Sequence, residues 1–245
     1  MKKILSYILT PVYLIVFGLL LLIFHPIQVI TRAIWGYPVR KKAVDVLNYC
    51  LLYSLWILGT RITFKGLEKI PQGRPLIIVA NHQSTLDIPA VIIGFKKNHP
   101  KFISKVELGK GIPSISYNLR HGGSVLIDRK NRSQSVKDIL MLGKHIEQNN
   151  YAACIFPEGT RSKTGLLGAF QPAGVASLYK TAPSAIIVPF VIDGNDKIMK
   201  HGYFPMTVGC HLRLTVLDPI DPKGKDMTEL VKNIEDQVRK ELGQA

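Results

Sequence analysis

Between Ile4 and Thr31 the chain carries no Asp, Glu, Lys or Arg. No other feature limits its fold more. As a helix this stretch reaches about 42 Å at roughly 1.5 Å per residue, beyond the roughly 30 Å hydrocarbon core of a bilayer. Lys2 and Lys3 precede it as in a secretory signal, but it is too long for a signal's apolar region and no A-x-A cleavage pattern follows. A buried hairpin in a soluble protein is the other reading. Pro11 and Pro26 are expected to kink or end the helix.

A second apolar stretch runs from Ala43 to Thr60, broken by Asp45 and Asn48, and TRAIWGYPVRKK lies between the two. If both spanned a bilayer, this basic loop would lie outside the cytoplasm, against the positive-inside tendency. A single span followed by a surface helix fits better, as does a helix pair embedded in one leaflet with Lys and Arg meeting anionic headgroups. Trp35 and Tyr37 suit the interface. Residues 1–60 are thus expected to be membrane-anchoring helices, with residues 61–245 as one domain on the cytoplasmic face (of the inner membrane in a bacterium).

Lys plus Arg outnumber Asp plus Glu by 32 to 17, a formal charge of +15. Such a chain is drawn to nucleic acid, an anionic membrane or a phosphorylated substrate. The basic residues are scattered, with no aromatic-rich RNA motif and no DNA-binding module, so nucleic acid is not expected. Three cysteines, Cys50, Cys154 and Cys210, support neither a disulfide framework nor a CxxC metal site.

From Arg61 onward short apolar runs alternate with helical patterns. Strands are expected at 61–66, 75–81, 101–105, 124–128, 152–158, 185–193 and 211–218. Helices are expected near 86–95, 133–148, 168–181 and 227–242, the last with an Asp226-to-Glu229 capping box. The interleaving predicts an α/β fold, a mostly parallel mixed sheet flanked by helices.

Two strand ends carry chemistry. NHQSTLD (81–87) follows PLIIVA, placing His82 where open α/β sheets bind ligands. On a continuous helix His82 and Asp87 would diverge by about 140°, so they meet only across a tight turn, with Ser84 or Thr85 capping the next helix. A carboxylate on one imidazole nitrogen fixes the tautomer and leaves the other as a general base for a hydroxyl. An ordinary buried histidine, satisfied by a helix-start aspartate, is the bland alternative. FPEGTRS (156–162) also ends a strand. Gly159 permits a sharp turn whose amides bind an anion, Arg161 offers a planar fork for phosphate, and Glu158 stands ready to orient it. A surface turn with a salt bridge is the alternative here. GSVLIDR (123–129) and VPFVIDG (188–194) point the same way, the latter with a proline that suggests a strand edge or start.

In this order and spacing the four stretches resemble the glycerolipid acyltransferase family, whose best-known members make phosphatidic acid from 1-acylglycerol-3-phosphate. The NHxxxxD pattern is Asn81, His82 and Asp87; the third block is Phe156 through Arg161; FISKVELGKGIP (102–113) resembles the segment between the first two. The resemblance implies a glycerol-3-phosphate-acyltransferase-like fold and catalysis without a covalent intermediate. His82, oriented by Asp87, would take the proton of the glycerol sn-2 hydroxyl as it attacks an acyl thioester. Glu158, Gly159, Thr160 and Arg161 would hold the acceptor's phosphate, with Lys105 and Arg129 as further phosphate ligands. No cofactor or metal is implied beyond acyl-CoA or acyl carrier protein as co-substrate. The partners are a phospholipid membrane, lysophosphatidic acid and the acyl donor. After the third block relatives often carry a basic pair where this chain has Gln171 and Pro172 after Phe170, which bears on head-group preference. Another lysophospholipid or polar lipid is the alternative acceptor. A membrane-bound serine hydrolase lacks a GxSxG elbow, although HGGS (121–124) resembles a lipase oxyanion loop. A non-catalytic lipid-binding protein would be expected to lose His82 or Asp87.

Overall fold

The computed structural model describes residues 2–128, 130–162 and 165–244. Strands form at every expected run: β1 (Arg61–Lys65), β2 (Leu76–Ala80), β3 (Lys101–Lys105), β4 (Val125–Ile127), β5 (Ala152–Ile155), β6 (Ile186–Asp193) and β7 (His211–Val216). They join in one sheet ordered β1-β7-β6-β2-β5-β3-β4. Every ladder is parallel except that between β6 and β7. The mostly parallel mixed sheet read from the sequence is the one observed.

Strand periodicity builds two cores. Leu76, Ile78 and Ala80 of β2 face one way, with Cys154, Val188 and Phe190, into a core closed by α2 (Asp87–Gly94). Ile77 and Val79 face the other way, with Ala153, Ile155 and Ile187. That side is covered by α4 (Arg132–Asn149), α5 (Pro172–Thr181) and α7 (Met227–Glu241). Because β2 is buried on both faces, its sequence is an unbroken apolar run. Asp226 caps α7 by accepting from the Thr228 and Glu229 N–H groups. Two short helices, α3 (Ile115–His121) and α6 (Asn195–Ile198), have no counterpart in the sequence reading. α5 starts at Pro172 rather than 168, since proline at the first helical position loses no hydrogen bond.

Pro189 corrects another expectation. It lies inside β6, an interior strand, opposite Val79 of β2. Its carbonyl accepts from Leu217 N, so the side lacking an N–H faces the chain just past β7, whose ladder with β6 begins at Phe190. No sheet bond is lost there.

The N-terminal segment is helical over α1 (Lys2–Tyr53), and its helical angles break at Gly36 (φ 72°, ψ −158°). The helix runs on through Pro11 and Pro26; the break falls at the glycine, which adopts positive φ without a Cβ penalty. The helical segment Lys2–Leu58 is long and apolar enough to cross a membrane, and only 17% of its most apolar window is buried. Ile4, Ile8, Ile15, Leu22, Ile30 and Ile34 are each more than half exposed. Its opposite face is bolted to the domain: Thr10 Oγ1 accepts from Met206 N at 2.9 Å, and Ser114 Oγ donates to Leu21 O at 2.7 Å. Arg40, expected among headgroups, is instead 2% exposed.

Candidate active site

Asn81 ends β2 by imitating a strand. Its side-chain Nδ2 donates to Ile192 O and its Oδ1 accepts from Ile192 N, both at 2.8 Å. The side chain thus continues the β2–β6 ladder, and the main chain is released to turn at His82. Gln83 Oε1 accepts from the Gly194 and Asn195 N–H groups at 3.1 and 3.0 Å. Leaving donors or acceptors buried and unpaired here would cost about 1–3 kcal/mol each.

The tight turn brings His82 and Asp87 together, with His82 Nδ1 2.7 Å from Asp87 Oδ2. The same oxygen accepts from the Gln83 and Ser84 N–H groups at 2.7 and 2.9 Å. Asp87 Oδ1 accepts from Asn195 Nδ2 at 2.7 Å. Every hydrogen-bond neighbour of this carboxylate among the described residues is thus a donor, which assigns the proton between it and the ring to Nδ1, so that in the neutral ring Nε2 is the acceptor. Asp87 is 0% exposed and the His82 side chain 18%, so the ring's other edge reaches solvent. The helix begins at Asp87 itself and has no side-chain cap from Ser84 or Thr85; Ser84 Oγ accepts instead from Leu86 N within the turn.

FPEGTRS closes on the same histidine. His82 and Glu158 each follow by three residues the β2–β5 pair Val79 and Ile155. Glu158 Oε1 accepts from His82 N at 2.6 Å, and Ser162 N donates to His82 O at 2.9 Å. The imidazole stacks on Phe156 with centroids 4.1 Å apart and planes 18° apart. Glu158 therefore does not orient Arg161. Its second oxygen accepts from Gly168 N at 2.9 Å, and among the described residues it makes no ion pair with Arg161. Adjacent parallel strands put the Glu158 carboxylate beside a strand end whose amides need acceptors, and those amides claim it. Burial pushes the Glu158 carboxyl above its usual range, and the N–H groups of His82 and Gly168 pull part of that back.

Gly159 takes a positive φ of 71°, with its N–H bonded to Phe156 O at 3.0 Å. Thr160 and Arg161 follow on the exposed turn. Lys105 ends β3, at the same edge of the sheet and exposed. Arg129 lies outside the described residues. Cys154 sits inside β5 and is 1% exposed; burial, with the Asp87 carboxylate nearby, holds its thiol well above the usual range. It is no nucleophile. Gln83 and Asn195 are the site residues that the sequence reading missed. Asn195 stands one position beyond the stretch quoted through Gly194, and its part in the site comes only from β6 lying beside β2.

The Acyltransferase family model matches residues 61–193, from β1 to the end of β6. The chain belongs to this acyltransferase family. It resembles a chloroplastic 1-acyl-sn-glycerol-3-phosphate acyltransferase of Arabidopsis thaliana, 32% identical over 168 residues, covering 68% of this chain and 46% of the relative. It also resembles 1-acyl-sn-glycerol-3-phosphate acyltransferase alpha of Mus musculus, 26% identical over 191 residues, covering 76% of this chain and 65% of the relative. The chain thus spans about half the length of the first and two thirds of the second. Among solved structures it resembles the 1-acyl-sn-glycerophosphate (LPA) acyltransferase PlsC from Thermotoga maritima, with a TM-score of 0.78 and 27% identity over 100% of this chain and 97% of that one. The Asn81-to-Asp87 turn and the Phe156-to-Ser162 loop both lie within the matched region.

Proposed function

We propose that the protein transfers a fatty acyl group from an acyl thioester to the sn-2 hydroxyl of 1-acylglycerol-3-phosphate, forming phosphatidic acid for phospholipid synthesis. The observation that carries the reading is the His82–Asp87 bond at 2.7 Å, which leaves the outer edge of the ring free at the open end of the sheet. His82 Nε2 takes the hydroxyl proton as the oxygen attacks the thioester carbonyl. The carbon–oxygen bond forms, the carbon–sulfur bond breaks, and the departing thiolate recovers the proton from His82. Phe156 holds the ring by stacking, and Glu158 and Ser162 hold its backbone. Arg161, with the amides around Gly159 and with Thr160, binds the acceptor's phosphate, assisted by Lys105 and Arg129. The donor is acyl-CoA or acyl carrier protein, both anionic and suited to a basic surface.

The exposed apolar face of α1 lies in the membrane where acceptor and product reside, with the domain on the cytoplasmic side. Relatives named as 1-acyl-sn-glycerol-3-phosphate acyltransferases support the choice of acceptor. Purified protein in liposomes, offered either donor against lysophosphatidic acid, glycerol-3-phosphate and lysophosphatidylcholine, tests the reading. Phosphatidic acid that disappears in His82→Ala supports it; product from another acceptor alone, or free fatty acid, overturns it.

A further inference from the structure

A second cationic site lies away from His82. Lys101 opens β3 whereas His82 follows the end of β2, and the two strands run the same way on either side of β5. Around Lys101 is a cavity of about 30 Å³ whose lining includes Tyr37, Arg40, Lys41, Asp45 and Ser124. It has room for roughly two waters, and so for two oxygens of one anion.

Among the described residues three cations, Arg40, Lys41 and Lys101, line it against one carboxylate, Asp45. Arg40 is 2% exposed and Lys101 4%. Arg40 Nη1 donates to Asn118 Oδ1 at 3.0 Å, and the buried Nε has no hydrogen-bond partner among the described residues. Lys101 Nζ donates to Tyr37 Oη at 2.7 Å and sits 4.7 and 4.6 Å from the ring centroids of Tyr37 and Tyr151. All of these partners are neutral. Among the described residues the cavity's carboxylate is Asp45, which pairs with Lys41 through Oδ2 while its buried Oδ1 has no hydrogen-bond partner; it offsets part of the positive charge but leaves an excess of two cations. Buried charges are expensive unless paired, so two such cations facing one cavity define a place for an anion. Burial, and then the charges of Arg40 and Lys41, push Lys101 down to about 7, with Asp45 opposing them.

We infer that this cavity binds the oxygens of a phosphate group, a monoester or diester held by Arg40 and Lys101 while the rest of the molecule stays outside. Tyr37 follows the Gly36 break at the end of the apolar arm of α1, beside exposed Trp35. That is headgroup depth if the arm lies in a bilayer. A lipid headgroup and free phosphate are the two sources of this chemistry. The site rests on its own residues and stands apart from the acyl-transfer reading.

Full-length protein in detergent is heated in inorganic phosphate and in chloride at equal ionic strength. Phosphate at about ten times its dissociation constant is expected to raise Tm by roughly 3–5 °C. The rise should survive Arg161→Ala, which removes the other proposed phosphate ligand, and vanish in Lys101→Met and Arg40→Gln. Wild-type protein that gains nothing from phosphate overturns the inference whether or not the variants fold, as does a rise lost in Arg161→Ala but kept in Lys101→Met. The second arm is sedimentation with phosphatidylcholine vesicles containing phosphatidylglycerol, where Lys42→Met controls for the lost charge on an exposed residue. Binding weakened several-fold by Lys101→Met but not by Lys42→Met names the lipid headgroup as the source. A phosphate effect with unchanged sedimentation names free phosphate.

Discussion

Asn195 donates its amide N–H to Asp87 Oδ1 at 2.7 Å, the oxygen of that carboxylate that His82 leaves unused. Both Asn195 and Asp87 are 0% exposed. The carboxylate therefore cannot rotate without orphaning a buried donor, and the imidazole inherits that rigidity. Asn195→Ala should lower kcat about tenfold to a hundredfold with little change in KM, from the roughly 1–3 kcal/mol cost of an unmet buried acceptor. Steady-state kinetics on folded protein checks this. An unchanged kcat would mean that the turn holds Asp87 without help.

Asp87→Asn replaces an oxygen that accepts from His82 Nδ1 and two backbone N–H groups. The amide keeps the shape but disfavours the tautomer that leaves Nε2 free. In the triad logic such a change costs about 10³–10⁴ in kcat. His82→Ala should be at least as severe, and a loss under tenfold for both in acyl-transfer assays would remove the general-base role.

Glu158→Gln leaves one acceptor where Glu158 supplies two, so either His82 N or Gly168 N loses its partner. We expect a loss of about 1.5–3 kcal/mol, the range for hydrogen bonds to charged groups, shared between stability and kcat. Urea unfolding and kinetics on the same variant measure both parts. Were Glu158 instead an Arg161 partner, KM for the acceptor would move and stability would not.

Arg161→Ala should raise KM for the phosphorylated acceptor roughly tenfold to a hundredfold at nearly constant kcat. The residue is exposed on the turn after Gly159, so its removal should leave folding unchanged. A pure kcat defect would move the phosphate to other side chains.

Lys101 has its pKa lowered to about 7 by burial and by Arg40 and Lys41, against Asp45, which raises it. Tyr37, His99, Tyr151 and, from α4, His145 are its other titratable neighbours among the described residues. Unfolded lysine holds its proton to about pH 10.4, so between about 7 and 10 the unfolded chain binds more protons than the folded one. Stability should therefore rise with pH across this window. The urea midpoint followed from pH 6 to 9.5 should show that slope in wild type and a flatter one in Lys101→Met.

Much of this was legible in the sequence because it depends on neighbours along the chain. β2 and β5 are continuous apolar runs since both faces are buried, and the helically spaced Leu230, Val231, Ile234 and Val238 together with the Asp226 cap mark the span of α7. His82 and Asp87 are five residues apart, so a single turn suffices to join them. The positions of His82, Gly159 and Arg161 at strand ends follow from the same local patterns.

What only the tertiary structure decided depends on strand order. Leu76 lies beside Ala152 and Ile186 because β5 and β6 flank β2, and nothing in the order of segments along the chain states this. That adjacency turns Glu158 from Arg161 toward the amide of His82, brings Asn195 to Asp87 across more than a hundred residues, and lets Pro189 sit inside a sheet without losing a bond. The break at Gly36 likewise folds Tyr37 and Arg40 inward onto Lys101, where local composition alone pointed to an exposed basic loop. Local patterns set each element's type and ends, since those energies come from a few adjacent residues. Partners for buried polar groups come from whichever strands pack together, and for this chain only the assembled sheet supplies them.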